Sequence, residues 1–223
     1  AKVSNNQKFG ERTVMSKIKE RKLSEKERAR LVRMREVTKV REDKGYQRKD
    51  QIMSVSFANV IAIVLSIPFF IIFGVWFVSR NGWSNWLSGV ESCVLLVAML
   101  GLIVVHELIH GLVWGSFAKS KFKSIDFGIQ KETLTPYCTC SEPLSKSQYI
   151  IGSIMPCIIL GIIPSIAGVL ADSLLLLLIG LIMIAGAGGD LTITLKMLTY
   201  HSDKKEIIIM DHPTECGFIV FEK

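Results

Sequence analysis

Residues 104–111 contain two histidines and a glutamate in the pattern His-Glu-x-x-His, formed by His106, Glu107 and His110. Side chains four residues apart on a helix lie about 40° apart around its axis and one turn above each other, so both imidazoles can reach one metal ion. Glu107 points near the same face, where it could take a proton from a water on the metal. We predict His106 and His110 as metal ligands and Glu107 as the catalytic acid/base.

The composition predicts that this pattern lies in a membrane protein with a basic end. The chain has 223 residues, of which 49% are hydrophobic, yet it also carries 27 Lys and Arg and 20 Asp and Glu. Charges and apolar residues are segregated, because 17 of the 27 basic residues fall in residues 1–50 and long apolar runs follow. A soluble enzyme does not have this layout, whereas a membrane protein with a cytosolic basic tail does.

Four apolar segments are long enough to cross about 30 Å of hydrocarbon. Apart from Cys93, the ionisable residues of the second segment are the two histidines and the glutamate, and burying them in lipid costs several kcal/mol unless something binds them. We predict four transmembrane helices, at residues 52–78, 92–118, 148–171 and 174–197.

The distribution of basic residues predicts the topology. The N-terminal tail, the loop 119–147 and the segment after residue 198 hold 25 Lys and Arg, whereas the two other loops hold one. The positive-inside rule then places both termini in the cytosol. We divide the chain into a basic cytosolic tail (1–50), a four-span core (51–199) and a cytosolic C-terminal hairpin (200–223).

Two polar segments show the alternation of β-strands. One hairpin is predicted at 122–140, with its turn at Lys131-Glu132, and a second is predicted from the runs 206–211 and 218–222. Whether the two hairpins share one sheet is left open. The expected fold class is a mainly α membrane protein with four transmembrane helices and two small cytosolic β-hairpins.

Asp190 is the one carboxylate within the predicted fourth span, and its depth suggests a third ligand. His106 lies ~21 Å and Asp190 ~24 Å from the starts of two spans that run in the same direction. Two imidazoles and a carboxylate form a three-ligand zinc set that leaves one position for water. The alternative is that Asp190 pairs with polar residues near the end of its span, which are Thr192, Thr194 and Lys196.

The remaining features have simpler interpretations. The five cysteines do not predict a disulfide framework, and no cleavable signal peptide is expected. Cys138 and Cys140 are interpreted as exposed hairpin residues, with a second metal site that uses His201 or His212 as the alternative.

The basic tail is expected to be a solvated, partly helical segment or to lie against anionic lipid headgroups. No nucleic-acid reader motif accompanies its charge, so nucleic acid is not an expected partner.

The quoted pattern resembles the site-2 proteases, which are intramembrane zinc metallopeptidases. The resemblance consists of His-Glu-x-x-His in one span, an intervening span, and an aspartate after a glycine-rich stretch. It implies that His106, His110 and Asp190 bind Zn²⁺ and that Glu107 is the catalytic acid/base. The sequence departs from that family in the Gly189-Asp190-Leu191 context and in lacking a PDZ or CBS domain, which concerns substrate choice more than metal binding.

A closer resemblance is to the bacterial putative zincin peptidase family of unknown function. It rests on the His-Glu-Leu-x-His-Gly form of the second span, the prolines of the third, and an Asp-His-Pro…Gly tail at residues 211–217.

These resemblances imply a zinc-dependent intramembrane endopeptidase of the bacterial cell membrane, acting on membrane-protein or peptide substrates near the cytosolic face. Two alternatives stay open. One is a catalytically inactive zinc-binding membrane scaffold or transporter accessory, and the other is a proton or cation carrier that uses the same acidic groups.

Overall fold

The computed structural model of the protein describes residues 24–82, 86–130 and 135–223. Residues 1–23 of the predicted basic tail and the predicted turn at Lys131-Glu132 lie outside the described residues.

Most of the described chain is helical, and its longest helices are apolar. Three stretches are long and apolar enough to cross a membrane, namely the second helix, the third helix, and the run Lys146–Leu170, which includes a π-helical segment at Cys157–Ile162. Length and composition are therefore compatible with a membrane protein. The helices are α1 (Glu25–Asp43), α2 (Val55–Asn81), α3 (Gly89–Phe117), α4 (Lys146–Pro156), α5 (Ile163–Leu170), α6 (Leu174–Gly186) and α7 (Gly188–Thr199).

The predicted fourth span, 174–197, is a broken helix rather than a straight one. Helices α6 and α7 meet at Ala187 at an angle of 50°, so they form a fourth span only if the bent pair counts as one. The break falls among Gly186, Gly188 and Gly189, because glycine is a poor helix former. Asp190 and Leu191 therefore lie at the start of a new helix, with Asp190 in its first turn.

The strands form two separate antiparallel sheets. Both predicted hairpins are present, as β2–β3 and β5–β6, but they do not join. Strands β1 and β4 flank β5–β6 instead, in the order β1-β6-β5-β4. The strands are β1 (Gln47–Ile52), β2 (Ile125–Gln130), β3 (Thr135–Cys140), β4 (Leu144–Ser145), β5 (Ile207–Asp211) and β6 (Gly217–Glu222).

The four-stranded sheet is covered on both faces. Phe218 and Val220 of β6 pack against the ends of the apolar helices, whereas Ile219 and Phe221 pack against α1. This alternation follows from the two-residue period of a strand. Every residue of β6 is buried, as expected for a central strand.

Helix α1 differs from the expected solvated tail. Its Leu31 and Met34 are buried against the sheet, next to Met210. A capping box formed by Ser24 and Glu27 satisfies its first backbone N–H groups. The segment 25–52 is therefore packed into the fold, and β1, which the sequence did not predict, pairs with β6 along its whole length.

Candidate metal site

Helix α3 brings the two histidines of the motif together. It runs for 29 residues from a capping box formed by Ser88 and Glu91. One helical turn separates His106 from His110, and their Nε2 atoms lie 3.2 Å apart. Both imidazoles are buried, whereas most other side chains in the middle of this helix are apolar and exposed.

Asp190 completes a cluster of three ligand atoms. Its Oδ2 lies 3.1 Å from His106 Nε2 and 3.3 Å from His110 Nε2. The break before α7 places this carboxylate in the first turn of a helix that packs beside α2. The depth estimate from the sequence and the structure thus bring the same three side chains together.

Two of the three alternative partners of Asp190 are engaged elsewhere, and the third, Thr194, makes no hydrogen bond through its hydroxyl to any described residue. Lys196 donates to the backbone oxygen of Ile52, and Thr192 donates to the backbone oxygen of Gly188. Asp190 therefore faces the histidines rather than the polar residues of its own helix.

The three donor atoms fit a zinc ion. Ligand atoms bound tetrahedrally to zinc at about 2.0–2.1 Å are spaced by about 3.3 Å. The three observed separations, 3.1, 3.2 and 3.3 Å, match that spacing. His110 donates its Nδ1–H to the backbone oxygen of Gly152 at 2.9 Å, which leaves the Nε2 lone pair directed at the cluster.

A tryptophan holds the ring of His110. The indole of Trp114 stacks on His110, with ring centroids 4.8 Å apart and planes within 14°. Its Nε1–H donates to the backbone oxygen of Tyr149 on α4 at 3.1 Å. Gly152 makes room for this arrangement, because a Cβ atom there would lie 2.0 Å from Trp114 Nε1. Sequence analysis missed this support, although Trp114 follows His110 by one turn on the same helix face.

Replacing Gly152 by alanine is expected to displace Trp114 and loosen the site. The added methyl group overlaps a rigid indole, so α4 must move away from α3, and the hydrogen bond from His110 to the Gly152 carbonyl lengthens. Loss of such an outer-shell contact typically weakens metal binding by about 10–100-fold. Zinc titration of Gly152→Ala measures this loss.

The matched control is Gly101→Ala on α3, where an added Cβ meets no atom within 4 Å. Equal zinc affinity of the two alanine variants would contradict the role given to Gly152.

Glu107 faces the β2–β3 hairpin. Its carboxyl lies in electrostatic contact with both imidazoles and with Asp190, and it meets the backbone N–H of Cys138 in β3. The hairpin packs closely on α3 just beyond the motif, because Gly111 leaves space for the ring of Phe127. A carboxyl beside the three ligand atoms is thus held between a helix and a strand edge.

The cysteines of β3 differ from their interpretation as exposed residues. Cys138 and Cys140 are both buried, with 9% and 1% of their surface exposed. Burial raises the pKa of the Cys140 thiol to about 11 and raises the pKa of Cys138 further, so both thiols stay protonated at neutral pH. They are therefore core residues.

Within the described part of the chain, these cysteines do not belong to a second cluster of metal-binding side chains. Among the residues 24–82, 86–130 and 135–223, the group with three or more metal-binding side chains in reach of one ion is His106, His110 and Asp190. His212 is a turn residue, whose Nδ1 accepts the backbone N–H of Glu215 at 2.9 Å. His201 is exposed and contacts the backbone oxygen of Thr199.

The part of the chain that carries the cluster is similar to a known protein family. Residues 99–204 match the family model described as putative zincin peptidase. The match supports a zinc peptidase family for this chain, and the matched segment runs from the middle of α3 to just beyond α7. The matched segment therefore contains all four candidate site residues, which are His106, Glu107, His110 and Asp190. No curated protein and no solved structure shows a significant match.

The zincin peptidase match and the donor set agree in their chemistry. A zincin peptidase uses zinc, and a His-His-Asp cluster with a neighbouring glutamate offers three ligands and a base. The match includes β4 but not α1, β1, β5 or β6, so most of the four-stranded sheet lies outside the matched segment.

Proposed function

We propose that the protein is a zinc-dependent intramembrane endopeptidase, with His106, His110 and Asp190 as zinc ligands and Glu107 as the catalytic acid/base. The observation that carries the proposal is the set of three ligand atoms within 4.8 Å of one another on apolar helices. The zincin peptidase match of the same segment supports it.

The chemistry is the hydrolysis of a peptide bond. Zinc held by the three ligands would supply a Lewis acid for the peptide carbonyl and lower the pKa of water. Glu107 takes one proton from the attacking water and delivers it to the leaving amine nitrogen as the C–N bond breaks. The contact with the Cys138 N–H orients the Glu107 carboxyl for both transfers.

The substrate is a membrane-embedded protein segment or peptide in an extended conformation. A transmembrane helix must unwind locally before hydrolysis, because its peptide groups are already hydrogen-bonded. The outer edge of β3 lies beside Glu107, and a substrate strand that adds there would bring its backbone to the site. The N–H groups of Cys140 and Cys138 on this edge are already bound by Asp211 and Glu107, so an added substrate strand would pair through the backbone oxygens of the edge.

The proposal includes the location of the site. All six strands come from three segments, which are the one before α2, the one between α3 and α4, and the one after α7. In a four-span topology these three segments lie on the same side of the membrane. The excess of Lys and Arg in these segments favours a cytosolic position for this side. We therefore propose cleavage near the cytosolic face, in a bacterial cell membrane, with the basic N-terminal segment near anionic headgroups.

Removal of the metal is expected to abolish cleavage. The protein is reconstituted in vesicles with a reporter whose single transmembrane segment is tagged at both ends. A membrane-permeant chelator should stop fragment formation, and stoichiometric zinc should restore it, whereas magnesium should not, because the site offers two imidazole ligands.

Membrane proteomics of cells with and without the protein supplies candidate substrates for the reporter. Stoichiometric zinc binding without turnover of any candidate would contradict the peptidase and favour a zinc-binding scaffold.

A further inference from the structure

Asp211, at the end of β5, lies outside the matched zincin peptidase segment and joins three parts of the fold. The hydroxyl of Tyr149 on α4 donates to its Oδ1, and the backbone N–H of Cys140 on β3 donates to its Oδ2 at 2.8 Å. One carboxyl thus ties the four-stranded sheet both to a helix of the core and to the hairpin.

The bond to Tyr149 leads to His110. The backbone oxygen of Tyr149 accepts the indole N–H of Trp114, and Trp114 stacks on the His110 ring. One turn further along α4, the oxygen of Gly152 accepts the Nδ1–H of the same imidazole. Asp211 therefore anchors the turn of α4 that holds His110 from two directions.

The bond to Cys140 leads to Glu107. Ser141 donates its N–H to the backbone oxygen of Ser124, which precedes β2, so Cys138 and Cys140 direct their N–H groups to the opposite edge of β3. Along that edge, the Cys140 N–H meets Asp211, and the Cys138 N–H meets the carboxyl of Glu107 two residues away. Asp211 consequently fixes the position of the strand edge that contacts the catalytic glutamate.

Asp211 is a buried carboxyl with charged and polar groups close to it. Burial raises the pKa of its carboxyl to about 7, while the charges of Arg30 and His110 and the N–H of Cys140 lower it. Arg30 of α1 lines, together with Asp211, a cavity of about 10 Å³. Burial of a carboxyl is costly, and here its two oxygens accept hydrogen bonds from two different elements.

We propose that Asp211 is a positioning residue of the metal site, which sets the ring of His110 through Tyr149 and Trp114 and the carboxyl of Glu107 through the edge of β3. Its effect on cleavage rests on the proposed function, whereas its effect on metal geometry does not. The four-stranded sheet is therefore part of the site's architecture.

The test uses the full chain in detergent, loaded with Co²⁺ in place of zinc. Asp211→Ala is expected to shift the visible absorption bands of bound cobalt, because His110 changes its orientation, and to lower kcat for the tagged reporter by about 10–100-fold at unchanged KM. Tyr149→Phe, which removes only the bond to Oδ1, should shift the cobalt bands in the same direction. Asp211→Asn should restore both readouts, since an amide oxygen can accept from Cys140 while the Tyr149 hydroxyl turns to accept the amide N–H.

The control is a second carboxyl–tyrosine pair in the same sheet. Glu222 of β6 is buried and accepts a hydrogen bond from the Tyr200 hydroxyl at 2.7 Å. Glu222→Ala should lower the unfolding temperature and leave the cobalt spectrum unchanged. The proposal is overturned if the spectrum of Asp211→Ala superimposes on that of Glu222→Ala.

The failure of this proposal is distinguishable from the failure of the proposed function. A wild-type protein that binds cobalt but cleaves nothing would refute the peptidase, and the spectra would still decide the role of Asp211. Conversely, an active wild type whose Asp211→Ala variant keeps its spectrum, kcat and KM would refute the positioning role alone.

Discussion

Glu107→Gln is expected to lower kcat for a transmembrane reporter by about 10²–10⁴-fold, the range typical of a lost general acid/base. Glutamine has nearly the same shape, so the helix and the three ligand atoms should keep their places. It can still accept the N–H of Cys138, but it cannot take a proton from water. Zinc content per protein should therefore stay at one, while fragment formation falls, which mass spectrometry and gel analysis of the reporter measure.

The control for this variant lies on the same helix. Glu91→Gln also exchanges a carboxyl for an amide on α3, but at its N-terminus, where Glu91 is part of the capping box with Ser88. Glutamine serves equally well in a capping box, so the fold should be unaffected. Cleavage by Glu107→Gln at the rate of Glu91→Gln would show that Glu107 is not the acid/base.

Asp190→Ala is expected to weaken zinc binding by more than about 100-fold. Loss of an outer-shell partner alone typically reduces metal affinity by about 10–100-fold, and a ligand contributes more than its supports. The variant leaves two imidazoles whose Nε2 atoms lie 3.2 Å apart, with no anionic ligand. Zinc affinity is measured by competition with a chelating dye, and the metal content by mass spectrometry.

Two further variants make this result interpretable. Asp190→Asn preserves the size of the side chain and should lose most of the zinc as well, because the amide lacks the negative charge. Asp203→Ala removes an exposed acid from the loop after α7 and should bind zinc like the wild type. Retention of tight zinc binding by both Asp190 variants would mean that the metal site lies elsewhere.

The sequence was most informative where polar groups interrupt an apolar run. A histidine or carboxylate in such a run needs a partner, so His106 and His110 on one span and Asp190 on another could be assigned to one site from their depths. The structure brings the three together with the separations expected of zinc ligands. Both hairpins could also be predicted, because strand alternation is a local pattern.

Other features leave no local trace in a sequence. The pairing of β1 with β6 joins Ile52 to Gly217, and nothing near either residue encodes that register. The carbonyl of Gly152, which accepts the hydrogen bond from His110, carries no side-chain signal. The burial of Cys138 and Cys140 depends on what covers their strand, so alternation alone could not reveal it.

The order of strands in the sheet has a consequence for the time at which the protein becomes complete. Strand β1 is synthesised before any of the apolar helices, and its partner β6 follows all of them, with Gly217 placed 165 positions after Ile52. At a synthesis rate of about 5–20 residues per second, β6 is synthesised roughly 8–33 s after β1. Asp211 and the anchor that it provides for α4 also emerge only at that point. A nascent chain thus carries His106 and Glu107 for several seconds before the strand that supports their site has been synthesised.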